Sequence, residues 1–143
     1  MLISTKGRYA LRVMIDLAEH QTDGYIPLKE VAQRQDISEK YLESIMVTMS
    51  KAGIIKGLRG KGGGYKLALA PMDITVGRIL KVTEKSLAPV SCLEMQPNLC
   101  KRSPACKTVR VWQEMYRVVD EYIESVTIAD LVDEIDSSDF YVI

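Results

Sequence analysis

The stretch Arg59-Gly60-Lys61-Gly62-Gly63-Gly64-Tyr65 constrains this chain more than any other. It lies between the apolar runs at 54–58 and 65–69. Glycine adopts positive φ at little steric cost, so two short β-type runs joined by a glycine-rich link read as a hairpin. A tip carrying Arg59 and Lys61, with almost no other side chain, can enter a narrow groove lined by phosphates. That is the shape of a wing, and it points to double-stranded DNA. Arg59, Lys61, Gly62, Gly63 and Tyr65 are its candidate contact residues. Two other glycine-rich motifs do not close. A dinucleotide fingerprint would need glycine where Tyr65 stands, and a phosphate-binding loop begun at Gly57 would need lysine at Gly63.

The residues before the hairpin agree with a wing. Ser4 or Thr5 can cap a first helix whose Ala10, Val13, Met14, Leu17 and Ala18 fall on one face. Gly24 and Pro27 mark a turn, and a short helix follows over 28–35. After the turn Asp36-Ile37-Ser38, Ser38 caps a third helix from Glu39 to about Lys51, stopped by Gly53. Leu42, Ile45, Met46 and Met49 form its buried stripe, and the opposite face carries Ser38, Lys40, Tyr41, Glu43, Ser44 and Thr48. Two helices joined by a short turn make a helix-turn-helix, and side chains of this kind suit base edges and phosphates.

Charge supports the same partner. The net charge is +0, yet no carboxylate occurs from Ser44 to Met72, where Lys51, Lys56, Arg59, Lys61 and Lys66 all lie. A cationic stretch without anions is the footprint of phosphate contact. Beyond Arg117 the chain has acids and neither lysine nor arginine, so that end should face away from nucleic acid.

A fourth helix is expected from a cap near Thr75 to about Thr83, then a loop without periodicity from Glu84 to Ala105. A long helix over 107–125 follows. Its apolar positions Val109, Trp112, Tyr116, Val119 and Ile123, continued by Val126, repeat every three or four residues. That seam reads as a dimerisation surface, with packing into the chain's own core as the alternative. Thr127 and Asp130 form a capping box for a last short helix. The expected fold is mainly α with a small β-hairpin. Its parts are a winged helix-turn-helix domain at 1–83, a cysteine-bearing sensor loop at 84–106, a dimerisation helix and short terminal helix at 107–132, and an acidic tail at 133–143.

All three cysteines, Cys92, Cys100 and Cys106, fall within fifteen residues of that loop, spaced C-x7-C-x5-C. Lys101, Arg102 and Lys107 beside them favour thiolates. Zinc sites normally include a tight C-x2–4-C pair, which is missing here. Looser spacing suits an iron–sulfur cluster, with metal-free thiol redox chemistry and zinc as alternatives. A fourth ligand is not evident, because the lone His20 belongs to the end of the first helix. No apolar run is long enough to span a membrane and no signal peptide is expected, so the cytoplasm is the expected location. With one histidine, no paired acids and no closed nucleotide motif, the chain does not read as an enzyme.

Several segments together carry a likeness. Ser4-Thr5-Lys6-Gly7-Arg8-Tyr9-Ala10, Ile37-Ser38-Glu39-Lys40-Tyr41-Leu42-Glu43 and the wing itself are similar to the Rrf2 family of bacterial winged-helix regulators, most of all its IscR-like members. Ile74-Thr75-Val76-Gly77 and the residues from Cys106 to Trp112 extend the likeness, which covers about 1–132. The resemblance implies a homodimeric transcriptional regulator with a [2Fe–2S] cluster at the three cysteines. It further implies base contacts from Tyr41 and Glu43 and minor-groove entry by Arg59. CymR-like members, cofactor-free, imply instead a thiol switch or a protein partner such as a cysteine-biosynthetic enzyme. Where IscR-like members carry a histidine ligand three residues after the last cysteine, this chain has Val109, and where NsrR-like members use a carboxylate it has Arg8.

Overall fold

Ser4 opens the first helix by accepting a hydrogen bond from the Gly7 N–H at 3.0 Å, so α1 runs Thr5–Glu19. The computed structural model describes residues 1–133, and 134–143, most of the expected acidic tail, lie outside the described residues. Helix α2 spans Leu28–Gln35 and ends on Asp36 in the left-handed conformation, φ 54°, which reverses the chain into the next cap. Ser38 accepts from the Tyr41 N–H at 3.2 Å and starts α3, Glu39–Lys51. Gly53, at φ 74°, is the left-handed residue that lets the chain leave α3 for the hairpin.

Strands β1 (Ile55–Leu58) and β2 (Gly64–Leu67) pair antiparallel, with Ile55 opposite Leu67 and Leu58 opposite Gly64. The hairpin is held to the helices by one more pairing. Ile26, just ahead of α2, exchanges two backbone hydrogen bonds with Tyr65, each 2.8 Å. This anchors the wing beside the helix-turn-helix.

One main core joins these elements. Ala10, Val13, Met14 and Leu17 of α1 meet Val31, Leu42, Ile45, Met46 and Met49, with Ile54, Ile55 and Leu67 from the hairpin. Full burial of each large aliphatic side chain contributes roughly 1.5–3 kcal/mol, so this cluster dominates the stability. Asp16 is the one charged residue buried in it among the described residues, at 1 % exposure. Arg34 grips its carboxylate through two hydrogen bonds, 2.7 and 3.0 Å, and Gln35 adds a third at 2.9 Å. Burial pushes the Asp16 carboxyl up, but these donors outweigh it and hold the group below the usual carboxylate range. Arg12 of α1 also donates to the Gln35 carbonyl. The buried Asp16 carboxylate thus ties α1 to α2 through Arg34 and Gln35, which lead from the core to the surface.

Thr75 caps α4 (Val76–Thr83), and α5 covers Val109–Ser125, beginning two residues later than expected. Between them the loop contains two short 3-10 turns, Ser91–Leu93 and Ser103–Ala105. Helix α5 packs on α4 through a second cluster of Leu80, Leu87 and Ile123, flanked by Tyr116 and Val119. Lys81 also binds Asp120 at 2.7 Å and Glu124 at 2.9 Å. Those three side chains are more than a third exposed, so each pair adds at most about 1 kcal/mol and the apolar cluster carries the contact. The last helix, α6 (Ile128–Asp133), opens with the expected reciprocal cap between Thr127 and Asp130. It returns to the main core, where Ile128 is fully buried, and Thr127 pairs with Thr75. No helix among the described residues is long and apolar enough to cross a membrane.

Candidate nucleic-acid interface

Ser38, Lys40, Glu43 and Ser44 project from α3 into solvent, as does Val47, while Tyr41 is half-buried. The hydroxyls on this face are partly committed. Ser44 donates to the Tyr41 carbonyl at 2.6 Å and Thr48 to the Ser44 carbonyl at 3.1 Å, so neither hydroxyl proton is free. Lys40 and Glu43 therefore carry the free charge of the face.

Contacts from α1 support it, and the sequence had not assigned them. Lys6 donates to Thr48 Oγ1 at 2.9 Å, and the Tyr9 ring meets the Tyr41 ring edge-on, 5.9 Å between centroids. The Arg12 guanidinium lies over the Tyr9 ring, 4.9 Å from its centroid. Lys6 and Tyr9 lie in the 4–10 segment of the family likeness, but only the fold brings them against α3.

At the wing tip Arg59 and Lys61 are exposed. Gly60 and Gly62 have φ 89° and 75°, and the Gly63 N–H bonds the Gly60 carbonyl at 3.0 Å, so the tip is a compact turn with little side chain. Gly63 has no room for one, since a Cβ there would lie 2.3 Å from the Leu58 carbonyl oxygen. Tyr65, expected among the contact residues, borders the groove beside the wing and also anchors it. Its backbone is the anchor to Ile26, and its ring lies over Gly57, where a Cβ would be 3.0 Å away. The wing, the start of α2 and the end of α3 enclose a groove of ≈ 600 Å³ bordered by Lys29, Ser50, Arg59 and Gly60. Lys29 joins the cationic set here.

The seam expected for dimerisation is divided. Tyr116, Val119 and Ile123 pack into the chain's own second cluster, and Val109 and Trp112 are half-buried. One residue out of phase, Val111, Met115, Val118 and Tyr122 are 54, 47, 50 and 67 % exposed. The apolar face of α5 is therefore broader than a single seam. One flank serves the chain itself, and the other is bare.

The cysteines do not converge. Cys100 is exposed, Cys92 and Cys106 are half-buried, and no three His, Cys, Asp or Glu side chains among the described residues are gathered closely enough to hold a metal ion. His20 is engaged elsewhere, its Nδ1 2.9 Å from the Asp16 carbonyl oxygen in a cleft with Tyr25 and Arg34. Cys106 sits just ahead of α5 with Sγ 3.3 Å from Thr108 Oγ1. The Thr108 hydroxyl, then the backbone N–H groups that open the helix, pull the thiol below its ordinary range.

The model of the Rrf2 family, described as iron-dependent transcriptional regulators, matches residues 3–134. This chain belongs to the Rrf2 family. Among its relatives is the transcriptional regulator IscR of Aliivibrio salmonicida, 32% identical over 92% of this chain and 77% of its own length. The solved structure of T. potens IscR superposes with TM-score 0.76 at 35% identity, covering 99% of this chain and 93% of that one. CymR, the global cysteine regulator of B. subtilis, gives TM-score 0.76 at 36% identity, over 94% of this chain and 98% of its own. The fold is that of a winged helix-turn-helix, and the chain is a DNA-binding transcriptional regulator of this family rather than an enzyme.

Proposed function

We propose that two copies of this chain bind one operator, each placing α3 in a major groove and its wing in the adjoining minor groove, with the cysteine loop setting the affinity. The observation that carries the reading is the groove bounded by the wing, the start of α2 and the end of α3, with Arg59, Lys29 and Ser50 on its walls. Arg59 and Lys61 are the exposed cations of the tip, and Lys40, Tyr41 and Glu43 are the base-reading set. The bare flank of α5 from Val111 to Tyr122 supports pairing with a second copy. Such a regulator works where the DNA is, in the cytoplasm.

Two readings of the loop rest on different observations. Three cysteines within fifteen residues of a chain that has no others support a [2Fe–2S] cluster held by Cys92, Cys100 and Cys106. Among the described residues no three His, Cys, Asp or Glu side chains stand close enough to hold a metal ion, so the thiols as placed do not form a closed cluster site. The second reading is a cofactor-free regulator that responds through thiol redox state or through a protein partner such as a cysteine-biosynthetic enzyme, supported by the Thr108 hydroxyl 3.3 Å from Cys106 Sγ.

Titration against a duplex selected by the protein from a random library, at several salt concentrations, tests the docking. Arg59→Ala is expected to cost about 1–3 kcal/mol of specific binding. Lys61→Ala should lower the slope of log affinity against log salt by about one. Unchanged specific affinity in Arg59→Ala overturns the proposed docking.

A further inference from the structure

Glu84 is the first residue of the cysteine loop and the C-cap of α4, its N–H bonded to the Leu80 carbonyl at 2.9 Å. Its side chain turns back across the fold. Oε1 accepts from the Ser4 N–H at 3.1 Å and from the Ser4 hydroxyl at 2.7 Å, at the start of α1 and eighty residues away in sequence. The same hydroxyl accepts the Gly7 N–H, so the carboxylate closes the first turn of α1 from outside. Gly7 leaves the space for it, because a Cβ there would lie 2.2 Å from Glu84 Oε1.

Ser4 already caps α1 by itself, so the carboxylate is not needed to start the helix. What it adds is a tether between that first turn and the mouth of the loop. The residues just beyond the tether are the ones that touch α3, Lys6 through Thr48 and Tyr9 through Tyr41. On the other side, Leu87 fixes the loop into the cluster with Leu80 and Ile123, and Cys92 follows in the next turn.

We propose that Glu84 is a positioning residue for operator recognition, transmitting the state of the cysteine loop to α3 through Ser4, Gly7 and the first two turns of α1. This rests on the reading of α3 as the helix that faces DNA. A change in the loop that withdraws the carboxylate frees the α1 N-terminus, and Tyr41 loses its fixed support. The coupling is reciprocal: DNA bound at α3 must alter the loop as the loop alters DNA affinity.

The test uses the full chain and the selected duplex. Glu84→Ala is expected to weaken specific binding about tenfold, within the range usual for coupling between two sites. Gly7→Ala, although a better helix former, should act in the same direction because its methyl displaces the carboxylate. Glu84→Gln keeps an acceptor oxygen and should bind close to wild type. A cap that only stabilised α1 would leave a second readout unmoved, namely the rate at which iodoacetamide alkylates Cys92, Cys100 and Cys106, read by mass spectrometry with and without saturating duplex. Duplex should change those rates in the wild type and leave them unchanged in Glu84→Ala. Full affinity in Glu84→Ala, or the same duplex-dependent change in both proteins, overturns the proposal. Loss of wing dependence in the wild type strikes the docking itself, whereas an intact Arg59→Ala effect beside an inert Glu84→Ala strikes only the tether.

Discussion

Gly64→Ala separates the anchoring of the wing from its flexibility. Gly64 has φ 149°, and a Cβ there would lie 2.1 Å from the Ile26 carbonyl oxygen and 2.4 Å from its carbon. These are backbone atoms and cannot rotate aside, so alanine must push β2 away from Ile26. The two 2.8 Å hydrogen bonds between Ile26 and Tyr65 then break or stretch. The strained backbone costs on the order of 1–3 kcal/mol. Two lost hydrogen bonds add roughly 0.5–1.5 kcal/mol each. A destabilisation of about 3 kcal/mol is therefore expected. Gly62→Ala is the control, since Gly62 also has positive φ, 75°, but open space within 4 Å of its Cβ position. It should cost only about 1 kcal/mol. Urea unfolding followed by circular dichroism measures both. On DNA, an Arg59→Ala change made in the Gly64→Ala background should lose most of its effect, because a detached wing no longer delivers Arg59. Equal stability of the Gly64 and Gly62 variants within about 0.5 kcal/mol refutes the clash argument, since distant surface changes already scatter that much.

Three other expectations follow from the described contacts. Asp16→Asn should cost about 2 kcal/mol, below the usual value for breaking a buried ion pair because Arg34 is partly exposed and can rehydrate. The folded Asp16 carboxyl is held low, so its contribution is complete above the ordinary carboxylate range near about pH 4 and vanishes as pH falls through its lower folded value; urea unfolding across acid pH should show that component in wild type and not in Asp16→Asn. Val118→Glu, on the bare flank of α5, should yield monomer in sedimentation with little change in thermal midpoint, whereas Val119→Glu, packed in the chain's own cluster, should lower the midpoint first; a fully dimeric Val118→Glu shows that the second copy docks elsewhere. Anaerobically purified protein with visible charge-transfer absorption, iron and sulfide, all abolished by Cys92→Ala, establishes the cluster reading, while colourless protein whose thiols oxidise reversibly and shift DNA affinity establishes the thiol reading.

Local chemistry in the sequence was enough to determine the helix-turn-helix and the wing. Ser4, Ser38 and Thr75 cap helices wherever their hydroxyls can reach the third N–H beyond, and Gly53, Gly60 and Gly62 turn the chain because other residues resist positive φ. The exposure of Arg59 and Lys61 follows in the same way from a tip built of glycine. Tertiary structure decided which residue does what once elements meet. Tyr65 also anchors the wing, because Ile26, in the segment ahead of α2, pairs with its backbone. The period of α5 predicted an apolar seam, but a period does not say what covers it; α4 and Leu87 claim one flank and leave the neighbouring one bare. The clustering of three cysteines is visible in the sequence, yet whether their sulfurs meet depends on the path of a loop without periodic packing to direct it. Lys6 and Tyr9 lie in the 4–10 segment that carries the family likeness, but nothing in it names their partners, and Glu84 belongs to no motif. They matter because long-range packing brings α1, α3 and the loop's first residue together, and such contacts leave no signature in the order of residues along the chain.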